Sequence, residues 1–373
     1  MKIRLVPTHT RGRSSIIKNI LLFLMSLLFF FFVFEIVLHA IDYYPEPVAT
    51  RANISLYDPL LGWKLKPYYV GVEKNNEFEI EYKTNNFGFR DEDFLFDDKQ
   101  KIFFLGDSFT FGEGVERQEI LSALLEEKFS RFDVMNLGVP GYGTDQELLL
   151  LQQLGPEFKP KIIVINYLVE NIKRNENQFR RLSNPSTGLD YEKPKFAVVE
   201  DTLVLLNSPT TRPEFLEELL KGNNTSSFTD TLKKCYSCVF FYQRTKNLFH
   251  WEQKIDIYSV DYEANSSSWL LTKKILEQMK TEADSLNAHF LIVVIPLQND
   301  VVFYPDQKLS YQLRFEEMAR EGYIIVDLTQ VLVEQYRTTG VNPYYSIDSH
   351  WNSVGQKIAS NVITSYISNA TSL

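Results

Sequence analysis

The chain has 373 residues, 44% of them hydrophobic, enough to bury a sizeable core in one large domain or two modest ones. Its formal net charge of -9, with no basic stripe, argues against a nucleic-acid partner. No cluster with metal-ligand spacing and no nucleotide-binding loop is visible, so neither a metal nor another cofactor is expected.

Lys2, Arg4, Arg11, Arg13 and Lys18 precede an uncharged run from Asn19 to Phe34, which continues past Glu35 to Ile41. That length is close to the ~20 residues needed to cross a bilayer core. Residues 1–18 therefore read as a cytoplasmic basic tail and 19–41 as a transmembrane anchor. The basic flank stays inside by the positive-inside rule, which puts the rest of the chain outside the cytoplasm, in a periplasm or at the cell surface. A cleavable signal peptide is the competing reading, although Leu38-His39-Ala40 fits its small-residue exit poorly. Glu35 falls near the outer edge of the run, where a carboxylate can reach the interface.

Residues 42–98 read as a linker plus an entry segment packed on the domain that follows, with an extended piece at Phe78 to Lys83 and turns at Gly62 and Gly88. An alternation of strands and helices then begins. Strands are expected at Ile102–Leu105, Asp133–Leu137, Lys161–Tyr167, Phe290–Ile295 and Tyr323–Val326. Helices are expected near Glu119–Phe129, Asp145–Leu154, Leu270–Leu286, Tyr311–Arg320 and Ser353–Ile367. The fold class is α/β: a three-layer, five-stranded parallel sheet flanked by helices over residues 99–373, preceded by the transmembrane helix. Right-handed crossovers bring all strand ends to one edge.

An insertion at about 178–266 interrupts the alternation. Lys195 to Leu206 reads as a hairpin and Phe215 to Leu220 as helical. A lid, an acceptor-binding cap and a plain surface elaboration all remain open for it. Cys235 and Cys238, the only cysteines, lack the strand–helix context of a redox motif; a local disulfide and two ordinary thiols are both open.

The chemistry concentrates in KIFFLGDSFTFGEGV, Lys101 to Val115, where an apolar strand ends in Gly-Asp-Ser. Gly106 allows a sharp turn, and Ser108 follows at the carboxyl end of the strand, where open α/β sheets place their sites. A serine hydroxyl is a weak nucleophile and needs an activating base with its own orienting group. Of the five histidines, His9 lies in the basic tail, His39 in the apolar run, His250 in the insertion and His289 at a strand start. His350 remains, in YYSIDSHWNSVGQ, with Asp348 two residues earlier. Ser108, Asp348 and His350 are thus candidates for nucleophile, orienter and base. Asp107 is expected to be structural, bonding turn amides.

Four stretches in order, GDSF at Gly106–Phe109, NLGVPGYGT at Asn136–Thr144, the strand end near Asn171, and the Asp348/His350 pair, resemble the blocks of the SGNH (GDSL-type) hydrolase superfamily. The lead-in YDPLLGWKLKP and TNNFGFRDEDF is similar to the segment preceding the serine block in envelope-associated members. The resemblance implies a flavodoxin-like sheet and acyl chemistry with an oxyanion hole. Its donors would be the Ser108 N–H, the Gly141 N–H (Gly138 and Gly143 as fallbacks) and the Asn171 amide. The third block departs from the usual Gly-x-Asn-Asp: laid straight, Glu170 takes the Asn position. An ionised carboxylate cannot donate to an oxyanion, so chemistry favours Asn171 with a one-residue shift. The stretch Asp348-Ser349-His350-Trp351-Asn352 is similar to SGNH-type domains that acetylate alginate and related exopolysaccharides.

Together these imply a serine-dependent esterase or deacetylase acting outside the cytoplasm on an acylated envelope or exported glycan, or on another ester. An O-acyltransferase using the same three residues is the alternative. A non-catalytic glycan-binding or scaffold protein is the second alternative, favoured by Glu170. The sequence is silent on oligomeric state.

Overall fold

The computed structural model describes residues 12–40, 52–180, 191–213, 215, 237, 255–304 and 307–371. The chain divides into two compact units, Met1–Val48 with Asn224–Glu252, and Ala49–Asn223 with Gln253–Leu373. The expected Phe215–Leu220 helix, apart from Phe215, and both cysteines lie outside the described residues.

In the first unit, helix α1 (Gly12–Ala40) carries a 23-residue apolar stretch, Ile16–Leu38, of mean hydropathy 2.8. That is enough to cross a bilayer core, although a signal sequence near the N-terminus meets the same criterion of length and apolarity. Glu35 accepts the Ser237 backbone N–H at 2.7 Å.

The second unit opens with two antiparallel hairpins, β1 (Ser55–Asp58) with β2 (Gly62–Leu65) and β3 (Val70–Lys74) with β4 (Glu79–Lys83). Within residues 52–98, Ile54, Trp63, Leu65, Ile80, Tyr82 and Phe94 belong to the same buried cluster as the central sheet.

The sheet itself is built from β5 (Gln100–Gly106), β6 (Phe132–Gly138), β7 (Ile162–Leu168), β12 (His289–Ile295) and β13 (Ile324–Asp327). All pairings are parallel, in the order β13-β12-β7-β5-β6. Counting only these five strands, the order is 2-1-3-4-5, the flavodoxin-like arrangement, whose winding reverses between the first and third. The five expected strands thus form within one or two residues of their predicted bounds. The insertion contributes the short pairs β8 (Phe179–Arg180) with β9 (Tyr191–Glu192) and β10 (Phe196–Val199) with β11 (Thr202–Leu205), the second being the expected hairpin.

Period-two alternation explains both faces of the sheet. Phe103, Leu105, Ile163, Ile165, Ile292 and Val294 enter one core with helices α4 (Thr144–Phe158), α6 (Ser267–Ser285) and α8 (Ser310–Arg320). Ile102, Phe104, Ile162, Val164, Leu291 and Val293 enter the other with α3 (Leu121–Lys128), α9 (Thr329–Thr339) and α10 (Ser353–Thr371). Helix α9 had no clear periodic signal because TQVLVEQYRTT mixes β-branched and polar residues of weak helix propensity. Burial of Leu332 and Val333, and Asp327 accepting the Thr329 N–H at 2.9 Å, stabilise it instead. The one-turn helices α2 (Ser108–Phe111) and α5 (Asn171–Arg174) and the short α7 (Gln298–Val302) are too brief to leave a period.

Candidate active site

The register lines up the carboxyl ends of three strands: Gly106 pairs with Gly138 on one side and Asn166 on the other. Ser108 therefore leaves β5 at the point where the winding reverses, which is where such sheets leave a crevice. Close approach is what requires the glycines here. A Cβ at Gly106 would lie 2.1 Å from Thr110 Oγ1, and one at Gly138 would lie 2.2 Å from the Phe111 nitrogen. Asp107 caps α2 by accepting the Phe109 N–H at 3.0 Å, the structural role expected for it. Its other oxygen binds Arg174 Nη1 at 2.5 Å, and neither Asp107 nor Arg174 is more than slightly exposed.

The five residues Asp348 to Asn352 each have a separate task. His350 Nε2 lies 2.7 Å from Ser108 Oγ, and Nδ1 lies 2.5 Å from Asp348 Oδ1. Ser349 between them adopts a left-handed φ of 69°, which points its two neighbours into the same site. Trp351 is buried and packs edge-on against Phe109, the residue after the serine, with ring centroids 5.2 Å apart. Asn352 caps α10, its Oδ1 accepting the Val354 N–H at 3.0 Å. Phe109 also lies 5.1 Å from the His350 ring, so one side chain seats both the base and its neighbour.

The three residues face a cavity of roughly 310 Å³, at the small end for ligand sites. Its walls include Asn53, Ser55, Glu73, Tyr82, Glu113, Gly141, Arg174, Arg180 and Tyr191, a predominantly polar set. Gly141 has φ 84°, and no acceptor among the described residues takes its N–H. Ser108 opens α2, so its N–H has no intrahelical partner. The Pro140-Gly141 turn is clamped from outside: Trp63 Nε1 donates to the Pro140 carbonyl at 3.1 Å, and the Tyr142 hydroxyl donates to the Trp63 carbonyl at 2.6 Å. Gly138 lies under Phe111 and Gly143 caps α4, and neither lines the cavity.

Asn171 is brought elsewhere. It is fully buried, its amide 3.5 Å from Thr144 Oγ1 and Glu147 Oε1 beneath α4, and it does not line the cavity. A helical turn at Glu170 accounts for this, because consecutive residues there point about 100° apart. Glu170 binds Arg174 Nε at 3.2 Å and approaches Arg180 at 3.7 Å. Burial alone would raise the Glu170 pKa, but the two guanidinium groups hold it below the usual carboxylate range. Arg174 also donates to the Tyr142 carbonyl at 3.1 Å, so it bridges the serine turn and the Gly141 turn at the cavity wall.

Glu113 is the residue that motif reading passed over. Its carboxylate lies 3.7 Å from His350 Nε2, on the serine side of the imidazole. Its signal was present within the serine stretch, as a lone carboxylate between Gly112 and Gly114, both at positive φ. Burial would lower the His350 pKa, yet Glu113 first and Asp348 next outweigh it and raise the value to about 9. Arg90 shapes this loop, donating to the Val115 carbonyl at 2.6 Å and lying 4.5 Å over the Tyr82 ring. Burial lowers the Arg90 pKa to about 10. One oxygen each from Glu113 and Asp348 and a His350 ring nitrogen lie within 4.8 Å of one another, a set that could hold a cation, although His350 and Asp348 already face each other there.

Fold and site together define a class: a three-layer α/β protein with a Ser–His–Asp arrangement at the winding reversal of its sheet. No protein-family model matches the chain, and no curated protein matches it. Among solved structures it is similar to a two-domain esterase (CEX) active on acetylated mannans, with 12% identity and a TM-score of 0.37 over 74% of this chain and 50% of that one. It is similar to TesA at 12% identity and a TM-score of 0.39, covering 73% of this chain and 99% of that one. A lipase/acylhydrolase from Enterococcus faecalis gives 14% identity and a TM-score of 0.35 over 72% and 95%. The chain spans half the length of the two-domain esterase.

Proposed function

We propose that this chain is an SGNH-type serine hydrolase that cleaves ester bonds outside the cytoplasm, held at a membrane by its Ile16–Leu38 helix, and that its substrate is an acylated envelope or exported glycan. The observation that carries the reading is the hydrogen-bonded series Ser108–His350–Asp348 opening on a cavity beside an unengaged Gly141 N–H. His350 Nε2 takes the Ser108 proton as Oγ attacks the ester carbonyl carbon, and the C–O bond to the leaving alcohol breaks as that alcohol receives the proton from His350. Water, deprotonated by His350 in turn, then releases the acid and restores the serine. The Ser108 and Gly141 N–H groups hold the oxyanion, and Arg174 adds positive potential at the same wall. The small polar cavity suits a short acyl group on a hydroxyl-rich body better than a long lipid chain.

A second reading keeps the acyl-serine but gives it to a sugar hydroxyl, making the protein an O-acyltransferase. The Asp348–Asn352 stretch, with its likeness to exopolysaccharide-acetylating domains, favours it. Acyl release into water against transfer to a glycan acceptor separates the two.

The test is intact-mass labelling of the full chain with a fluorophosphonate, comparing wild type, Ser108→Ala and His350→Ala. Labelling of the wild type, absent in Ser108→Ala and at least a hundred-fold slower in His350→Ala, is the expected result. A folded wild type that stays unlabelled sinks the hydrolase reading and leaves a glycan-binding or scaffold role.

A further inference from the structure

The acid end of the Ser108–His350–Asp348 series is held by residues about 270 positions earlier in the chain. Asn75 lies in the turn between β3 and β4. Its Oδ1 accepts the Glu77 N–H at 2.8 Å and the Phe78 N–H at 3.0 Å, which sets the orientation of the amide. Nδ2 is thereby turned to Asp348, 3.3 Å from Oδ2. The two carboxylate oxygens of Asp348 are thus approached from opposite directions, Oδ1 by His350 and Oδ2 by Asn75.

Glu77 acts on the backbone of the same loop. Its Oε1 accepts the Ser346 N–H at 2.7 Å, and its Oε2 accepts the Ile347 and Asp348 N–H groups at 3.0 and 2.8 Å. Three successive N–H groups converging on one carboxylate form a nest, here closed by a side chain from another element. The loop needs such a fixture. It carries both Asp348 and His350 yet belongs to no helix or sheet strand, and a non-glycine residue, Ser349, sits at positive φ between them. Neither Asn75 nor Glu77 lines the cavity or touches Ser108.

We propose that Asn75 and Glu77 are positioning residues for the Asp348–His350 pair, so that the lead-in hairpin is a working part of the site. The proposal rests on the reading of Ser108 as an activated nucleophile. Glu77 sets where the loop backbone lies, and Asn75 shares the negative charge of Asp348. In Glu77→Gln one acceptor oxygen becomes an NH₂ facing N–H donors, and the loop has to shift. Displacements near 1 Å in a reacting geometry cost on the order of a hundred-fold in rate. In Asn75→Ala the carboxylate of Asp348 loses a hydrogen-bond donor, so more of its charge is felt by His350, which holds its proton more firmly.

The experiment uses the full chain as wild type, Glu77→Gln and Asn75→Ala. It measures the fluorophosphonate labelling rate of Ser108 across pH, and the titration of the His350 ring nitrogens by NMR, with thermal unfolding as the fold control. We expect Glu77→Gln to slow labelling about ten- to a hundred-fold. Asn75→Ala should move both the labelling midpoint and the His350 titration upward in pH, in a protein that still unfolds cooperatively. Unaltered rates and an unaltered His350 titration in both variants overturn the proposal. If Glu77→Gln does not fold, Asn75→Ala decides: at a half-buried turn it removes the contact with Asp348 together with the two bonds that Asn75 accepts from the Glu77 and Phe78 N–H groups. If the wild type is not labelled, the hydrolase reading falls by itself and the His350 titration alone decides the positioning roles.

Discussion

Ser108 stands at the end of a strand buried on both faces, in a turn packed so closely that neither Gly106 nor the neighbouring Gly138 has room for a Cβ, whereas His350 and Asp348 stand on a loop that takes its shape from the side chains of Asn75, Glu77, Tyr345, Trp351 and Asn352. The first half of the site follows from the sheet and the turn that leaves it: β5 in this register brings Gly106 to the winding reversal, and the Asp107 cap sets Ser108 just beyond it. The second half is assembled from many modest contacts, its only pairing among the described residues being the isolated Tyr344–Trp351 bridge at the base of the loop. Nucleophile placement should accordingly resist surface mutation and fail with the fold, while base placement should be tunable without unfolding.

The largest expected effect breaks the serine side. Lys193 and Asp145, both fully buried, pair at the start of α4, directly after the Gly141 turn, and Lys193 also donates to the Asn177 carbonyl at 3.1 Å. Lys193→Met leaves Asp145 as a buried unpaired acid and should cost about 3–5 kcal/mol in urea unfolding, with labelling lost alongside the fold.

A smaller effect is expected where the two halves meet. Gln356 on α10 accepts the Leu121 N–H at 3.0 Å and donates to the Phe109 carbonyl at 3.1 Å, tying the helix behind His350 to the turn that bears Ser108. Gln356→Ala orphans both backbone groups and should cost about 1–3 kcal/mol, with a lower labelling rate in molecules that remain folded.

The smallest effect on stability carries the sharpest signature in activity. His350 has to lose a proton before it can act as base, so labelling should rise with pH through about 9. Glu113→Gln removes the foremost raising influence and should move that midpoint down toward the usual histidine value of ~6.5, speeding labelling at neutral pH. The folded value is raised, so the contribution of His350 to stability is full below ~6.5 and is lost as pH climbs through about 9. An unchanged midpoint in Glu113→Gln would show that its carboxylate is not coupled to the imidazole.

Much of this was legible in residue order, and the exceptions have local causes. The strands were legible because both faces are buried, which makes each an unbroken apolar run. Helices α2, α5 and α7 were not, since one turn leaves no period to detect. Ser108, Asp348 and His350 could be picked out because histidine is scarce, five in the chain, and because the serine and the aspartate stand in recognisable turns. The third-block position could not. Glu170 and Asn171 are adjacent in sequence, and the phase of a one-turn helix turns Asn171 under α4 and Glu170 to Arg174, so that neither lines the cavity. Arg174 and Glu113 entered the site for a related reason: a charged residue in a one-turn helix or a loop has no face until the surrounding chain is folded.

By itself the sequence determined the layer architecture, the apolar helix at the N-terminus, and the residue types available for acyl chemistry, because hydrophobic periodicity and glycine-bounded turns act over a few residues and need no distant partner. Tertiary structure alone decided that the lead-in hairpin buttresses the Asp348 loop, that Arg174 bridges the turns of Ser108 and Gly141, and that Glu113 lies against His350. Each of those is a contact between segments far apart in the chain or on irregular backbone, where charge and hydrogen bonding act through space and leave no periodic trace.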